Sequence, residues 1–311
     1  MFPLHRRTFI KSATFGAAAF TLLPACGSMA DSTKKKSDPR FQISLAQWSL
    51  HKSIFDKKLD HLDFAKKASS LGIYAIEYVN QFFKDHAEDE AYLSEMNKRA
   101  ADAGVRQLLI MVDGEGGLAE HSVVQRSEAI KNHYKWVHAA NELGCHSIRV
   151  NAFGSSDDPK VLHDALVEGL GNLAGYAKAL GINVIVENHG GISSNAAWLA
   201  GVMKEINMDN CGTLPDFGNF CITYKDPGGC ISEYDRYKGV EELLPFAKAV
   251  SAKSYHFAPD GTETKIDYER MMKLIKASSY SGHIGIEYEG SSLSEEDGII
   301  ATKRLLEKVI A

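Results

Sequence analysis

Three acids stand where short, mostly apolar runs end, and a histidine lies in a fourth run. Val184-Ile185-Val186 leads into Glu187-Asn188-His189, Leu214-Pro215 into Asp216, and Gly285-Ile286 into Glu287-Tyr288, while His256 lies in Lys253-Ser254-Tyr255-His256-Phe257. One acid at the end of an apolar run is ordinarily a loop cap or a solvated side chain. Three acids and an imidazole in consecutive runs make a site if the fold gathers the ends of those runs. Carboxylates forced into one mouth repel one another unless positive charge lies between them, and a divalent cation with carboxylate and imidazole ligands supplies it. Glu187, Asp216, His256 and Glu287 are therefore the candidate metal ligands.

The elements that must position them follow from the patterning. From residue 41 onward, short segments rich in β-branched residues alternate with longer amphipathic ones, the signature of repeated β-α units and a parallel sheet. Eight strands are expected, at 41–47, 74–79, 105–112, 147–151, 183–187, 211–216, 253–257 and 283–287. Helices are expected near 59–71, 89–103, 123–143, 158–180, 195–206, 239–251, 267–279 and 295–310. Leu71-Gly72, Ala103-Gly104, Leu143-Gly144 and Leu180-Gly181 read as helix ends closed by a left-handed glycine just before the next strand. An open doubly wound sheet is disfavoured, because no GxGxxG follows the first strand. The fold class is α/β, a single (β/α)₈ TIM barrel over residues 41–311, and in such a barrel the site lies at the C-terminal ends of the strands. Side chains alternate along a strand, so Glu187 shares a face with Ile185 and Asn183, and Glu287 with Gly285 and His283. Both glutamates are expected to point into the mouth.

Other polar or aromatic residues fall at the same level. Arg149 and Asn151 lie on one face of strand four, and Lys253 opens strand seven, so these are candidates to hold hydroxyl groups or stabilise an oxyanion. Trp48, near the end of strand one, is a candidate apolar wall for a ring. Plain structural roles compete with these: Arg149 as an ion pair with Glu77, and Trp48 as packing against a loop. His189 is read as contacting substrate or orienting a carboxylate, and Asn219 joins the candidate substrate contacts.

At these residues the chain resembles the xylose isomerase-like TIM barrels, which include sugar isomerases and epimerases, inosose dehydratases and endonuclease IV. The resemblance covers residues 41–311. It is most specific at Glu187-Asn188-His189-Gly190-Gly191, at Leu214-Pro215-Asp216-Phe217-Gly218-Asn219-Phe220, and at Gly285-Ile286-Glu287-Tyr288-Glu289-Gly290. It implies one divalent ion (Mn, Mg, Co or Zn) held by the strand-five glutamate, the strand-six aspartate, a strand-seven histidine and the strand-eight glutamate, here Glu187, Asp216, His256 and Glu287. Two positions depart from the pattern: Asn219 stands where many members have a histidine three residues after the aspartate, and no Lys-Asp follows His256. The resemblance further implies that Glu187 and Glu287 flank the substrate, one removing a proton next to a carbonyl and the other returning it. The implied substrate is a non-phosphorylated sugar or keto-sugar. The same site could act as a lyase on a 3-keto-glycoside, and a non-catalytic, lipid-anchored sugar-binding protein is a further reading.

Composition is that of a globular protein, with 44% hydrophobic and 24% charged residues among 311. Arg6 and Arg7 precede an uncharged apolar run at 13–23 that ends in Leu23-Pro24-Ala25-Cys26. This resembles a twin-arginine export signal with a lipoprotein-type end, so residues 1–25 are expected to be removed and Cys26 lipidated. The run is too short to span a bilayer, which takes roughly 20 residues. Residues 26–40 lack apolar periodicity and read as a flexible tether. The expected location is the periplasm or a membrane-anchored lipoprotein. Cleavage would take three of the 35 basic residues and none of the 40 acidic ones, leaving a net charge of −8. That balance opposes nucleic-acid binding, and with it an endonuclease-like activity. Cys145, Cys211, Cys221 and Cys230 form no CxxC pair. A Cys221–Cys230 staple is possible in an oxidising compartment, but buried free thiols are the favoured expectation.

Overall fold

The computed structural model describes residues 40–225 and 228–311. The export signal, Cys26 and all of the tether except Arg40 lie outside the described residues. Strands β1 (Phe41–Ala46), β2 (Ala75–Val79), β3 (Arg106–Met111), β4 (Ser147–Val150), β5 (Asn183–Glu187) and β6 (Cys211–Leu214) follow in chain order. An antiparallel hairpin, β7 (Cys221–Tyr224) and β8 (Cys230–Glu233), comes next, before β9 (Val250–Ser254) and β10 (Gly282–Tyr288). All but the hairpin form one parallel sheet in the order β6-β5-β4-β3-β2-β1-β10-β9. The two edges then meet. Lys248 N donates to Thr213 O at 3.0 Å, Ser251 N to Pro215 O at 3.0 Å, and Phe217 N to Ser251 O at 3.1 Å, so β6 and β9 close the barrel.

Helices α1 (His51–Phe55), α2 (Phe64–Ser70), α3 (Glu90–Asp102), α4 (Val123–Glu142), α5 (Pro159–Lys178), α6 (Ala196–Ile206), α7 (Arg236–Leu243), α8 (Tyr268–Ala277) and α9 (Glu295–Ile310) connect the strands. Their starts are written locally. Asp89, Ser122, Asp158, Asn195, Asp235, Asp267 and Ser294 each accept a hydrogen bond from a first-turn backbone N–H, which satisfies donors that the helix cannot. In α5, Leu162, Leu166, Leu170, Leu173 and Ala177 make the buried stripe against the sheet. Gly72, Gly104, Gly144 and Gly181 all take φ between +66° and +70°, as the helix-to-strand turns require. No helix among the described residues is long and apolar enough to cross a membrane.

The barrel interior is closed by an apolar plug of Ala46, Val79, Leu109, Met111, Ile185, Leu214 and Ala249. Buried polar residues of the barrel strands, Ser44, Glu77, Arg149 and Lys253, sit with it. Three sequence expectations are corrected. The seventh barrel strand is β9, three residues earlier than 253–257, and the helix expected at 239–251 ends at Leu243. The third concerns the thiols, because Cys221 and Cys230 are joined in a disulfide that ties β7 to β8. Cys145 and Cys211 are buried and free.

Candidate active site

Strands β5, β6, β9 and β10 are neighbours around the closed ring, and their C-terminal ends bring carboxylates together. Glu187 is the last residue of β5, Asp216 lies two residues beyond β6, and Glu287 is the penultimate residue of β10. All three are buried, and one oxygen from each lies within 4.8 Å of the others. The loop carrying Asp216 is fixed by Asn188. Its side chain accepts from Asp216 N at 2.8 Å and donates to the carbonyls of Asp216 and Asn219 at 3.0 and 3.1 Å.

Each acid has a distinct set of partners. Asp216 Oδ1 accepts from the backbone N–H groups of Gly218 and Asn219 at 2.8 and 2.7 Å. Ser251 Oγ stands between Asp216 Oδ2 at 2.6 Å and Glu287 Oε2 at 2.9 Å. Glu287 Oε1 pairs with Lys253 Nζ at 3.0 Å, and the same ammonium lies 3.2 Å from Glu289. Glu187 Oε1 accepts from Asn219 Nδ2 at 2.9 Å. Its Oε2 lies 3.0 Å from Arg149 Nε, an ionic contact without hydrogen-bond alignment, so this buried oxygen has no hydrogen-bond donor.

Two buried cations thus face five carboxylates: Lys253 and Arg149 against Asp113, Glu187, Asp216, Glu287 and Glu289. Burial, opposed by Arg149 and reinforced by Glu287, pushes Glu187 up to about 7. Burial likewise pushes Asp216 up to about 7 against the pull of Lys253. Glu287 goes the other way: burial would raise it, but the adjacent Lys253 ammonium and the Ser251 hydroxyl hold it low. The excess of acid, the unpartnered Glu187 oxygen and the all-oxygen donor set fit a hard divalent cation held by Glu187, Asp216 and Glu287.

His256 is not part of this cluster. With β9 ending at Ser254, His256 lies beyond the strand, where its Nδ1 meets Ser292 Oγ at 3.2 Å and its backbone N–H donates to Glu263. Lys253, expected to open the strand, is instead buried near its end against the acids. Arg149 pairs not with Glu77 but with Asp113, Nη1 to Oδ1 at 2.7 Å, and with Glu187. Asn151 Nδ2 donates to Asp113 Oδ1 at 2.6 Å, which turns its Oδ1 toward His189 Nδ1 at 2.9 Å. His189 therefore donates through Nδ1 and keeps Nε2 as an acceptor. Burial, helped by Arg149, lowers its pKa and keeps the ring neutral. Asn219 contacts Glu187 rather than standing free in the mouth. Trp48, half-buried, stacks on His51 at 4.7 Å and on Phe82 at 6.2 Å at the end of β1, with Phe55 edge-on at 6.1 Å.

Sequence reasoning missed Asp113, Ser251 and Asn188. Asp113 follows Leu109-Ile110-Met111-Val112 in the same apolar-run-then-acid pattern that marked the others, so its signal was present. Burial would raise its pKa, but Arg149 and Asn151 outweigh it and bring the group down to about 2. Glu77, buried on β2, accepts from Ser44 Oγ at 2.6 Å, and Gly285 leaves room for its carboxyl, since a Cβ there would lie 2.6 Å from Oε1. Burial pushes Glu77 up to about 7.

A family model described as xylose isomerase-like TIM barrel matches residues 65–309. No curated protein matches the chain. The chain is similar in structure to D-psicose 3-epimerase from Clostridium cellulolyticum H10, solved with D-tagatose, with a TM-score of 0.66 at 12% identity over 86% of this chain and 99% of that one. It is similar to the Escherichia coli 3-keto-D-glucoside 4-epimerase, with a TM-score of 0.64 at 13% identity, over 87% and 99%. A xylose isomerase-like TIM barrel protein from Mycobacterium smegmatis, in complex with magnesium, gives a TM-score of 0.61 at 17% identity, over 80% and 87%. At these identities the likeness is one of fold.

Proposed function

Because the chain belongs to the xylose isomerase-like TIM barrel family, we propose that it is a divalent-metal-dependent isomerase or epimerase that removes and returns a proton next to a carbonyl of a non-phosphorylated sugar or keto-sugar. The observation that carries this reading is the buried set of Glu187, Asp216 and Glu287 oxygens within 4.8 Å at the barrel mouth. Their oxygen-only character favours Mg²⁺ or Mn²⁺ over Zn²⁺. When bound, such an ion polarises a carbonyl and stabilises the negative charge that develops on its oxygen.

The chain's own residues do the rest. Glu187 and Glu287 stand on β5 and β10, three strands apart around the closed ring, and flank whatever lies between them. One carboxylate takes the α-proton, and the electron pair moves into the carbonyl to give an enediolate. The other glutamate delivers a proton, to the opposite face of the same carbon in epimerisation or, as the hydroxyl proton passes from one enediolate oxygen to the other, to the neighbouring carbon in isomerisation. Arg149, held by Asp113, and Lys253, held by Glu287 and Glu289, keep positive charge beside the developing oxyanion. His189 offers an acceptor for a sugar hydroxyl, and the Trp48 cluster offers an apolar face. Names among the structural relatives support a sugar substrate: one is an epimerase of D-psicose and another of a 3-keto-D-glucoside.

A second reading, elimination from a 3-keto-glycoside, is favoured by a cavity of about 660 Å³ that His189 helps to line. There the C2–H pair forms the C1=C2 double bond, the C1–O bond breaks, and the departing oxygen takes a proton from the second glutamate. Export supports a non-phosphorylated substrate, and we propose it from Arg6-Arg7 and Cys26. Mass spectrometry of the native N-terminus should find an acylated Cys26, and an unmodified start beyond it would remove the anchor.

The test of the whole reading is solvent exchange. Free ketoses, aldoses and 3-keto-glucosides incubated in deuterated water with the protein and Mn²⁺ should include one that takes up deuterium at the carbon next to its carbonyl. That uptake should stop on chelation. Sugar binding without exchange, indifferent to chelator, would make the protein a binding module instead.

A further inference from the structure

Beside the acid centre lies a cavity of about 660 Å³, within the range of roughly 300–1,000 Å³ common to small-molecule sites. The loop after β4, the turn after β5 and strand β7 enclose it. Phe153, Ile192 and Tyr224 give it apolar surface, and Ser156, Asp157 and Thr223 give it hydrogen-bonding groups. His189 joins this cavity to the acids. Its ring lies 6.4 Å from that of Phe153 at an interplanar angle of 23°, and its Nδ1 is bonded to Asn151, which reaches Asp113. Two residues before it on the same strand end is Glu187.

The far wall is built to stay in place. The Cys221–Cys230 disulfide ties β7 to β8, and Tyr224 lies across the backbone of Gly190. A Cβ on Gly190 would come within 2.7 Å of the Tyr224 hydroxyl oxygen, and Gly190 has φ +88°, so glycine answers both the contact and the turn. Phe153 and Tyr224 nevertheless remain 47% and 59% exposed. Large, exposed aromatic side chains lining one cavity, with a carboxylate and hydroxyls in the same lining, match the faces and rim of a ring that is apolar on its flat sides and polar around its edge.

We propose that this cavity is a subsite for the second ring of a glycoside, an aryl aglycone or an adjoining sugar, whose first ring lies over Glu187, Asp216 and Glu287. The substrate is then a glycoside rather than a free monosaccharide. This rests on the proton-transfer reading of the acid centre for its first ring, while the second-ring site rests on Phe153, Tyr224 and His189.

Calorimetric titration with two non-reacting probes, methyl β-D-glucoside and p-nitrophenyl β-D-glucoside, tests it in the metal-loaded protein. The aryl glucoside should bind about tenfold more tightly than the methyl glucoside, the size expected of one good aromatic stacking contact. Tyr224→Ala should remove that advantage and leave methyl glucoside affinity unchanged, and Tyr224→Phe should restore it. Equal affinities in the native protein, or a Tyr224→Ala variant that weakens both probes alike, would overturn the subsite. Aryl preference in a protein that exchanges no α-proton with any keto-sugar would support the subsite and sink the proton-transfer reading. Proton exchange on a free monosaccharide, without aryl preference, would do the reverse.

Discussion

Asp216→Asn should give a folded protein that has lost its divalent cation and its turnover. Asp216 contributes one of the three gathered carboxylates, so its loss should weaken Mn²⁺ binding by more than about 100-fold, beyond the 10- to 100-fold typical of residues that only support a ligand. Asparagine is the informative replacement. Asp216 Oδ1 caps the N–H groups of Gly218 and Asn219, and an amide oxygen can do the same, whereas Asp216→Ala strands both donors and leaves the Ser251 hydroxyl only Glu287 as acceptor. In chelator, the Asn variant should melt at or above the parent's temperature above pH 7. The reason is the sign of the shift. Burial raises the folded-state pKa of Asp216 to about 7, so the stability it contributes is complete below the ordinary value near 4 and is lost as pH rises through 7, where a charge must be buried. The same linkage makes Mn²⁺ compete with protons, so the parent's affinity should climb between pH 5 and 8. Elemental analysis and titration with Mn²⁺ check the prediction, and stoichiometric metal in the Asn variant would sink it.

Much of this arrangement was legible because the barrel puts function at one repeated place. Eight apolar runs separated by amphipathic segments and glycine-closed turns are enough to specify a closed parallel sheet, and acids just past the runs are then gathered by the topology. Glu187, Asp216 and Glu287 were readable for that reason. Strand β9 was not, because Val250-Ser251-Ala252-Lys253-Ser254 carries polar residues on its inward face, and the preceding Glu241-Glu242-Leu243-Leu244 reads as helix. The site itself erased the strand's apolar signal. The resulting register error hid Ser251, moved Lys253 to the wrong end, and left His256 among the candidate ligands although it lies past the strand.

What a side chain touches was less legible than where it stands. Arg149 was expected either to hold substrate or to pair with Glu77. Its actual partners, Asp113 just past β3 and Glu187 at the end of β5, are a choice set by barrel tilt and register that no local pattern encodes. Asn219 shows the same limit, since its side chain serves Glu187 through a loop whose path depends on Asn188. The Cys221–Cys230 disulfide required knowing that an antiparallel hairpin interrupts the β-α alternation, and the nine-residue spacing alone does not say so.

Glu187→Gln and Glu287→Gln should each lower turnover by roughly 10²- to 10⁴-fold, the usual contribution of a positioned proton-transfer group. Each amide keeps an oxygen that can still face a cation, so the assay belongs at saturating Mn²⁺ with metal content verified. Carbohydrate affinity should change little. The two variants should also differ in kind. The one that lacks the proton-removing group should neither exchange the α-proton with deuterated water nor form product, whereas the one that lacks only the returning acid should still exchange. Their surroundings already differ: Glu287 is held as a carboxylate by Lys253 at 3.0 Å, while Glu187 has a buried oxygen without a hydrogen-bond donor and a pKa pushed up to about 7. Near-normal turnover by both variants on a verified substrate would end the two-carboxylate mechanism. The base would then be sought in His189, the neutral imidazole beside the site. Lys253 would be a poor choice, because the surrounding carboxylates outweigh its burial and keep it an ammonium.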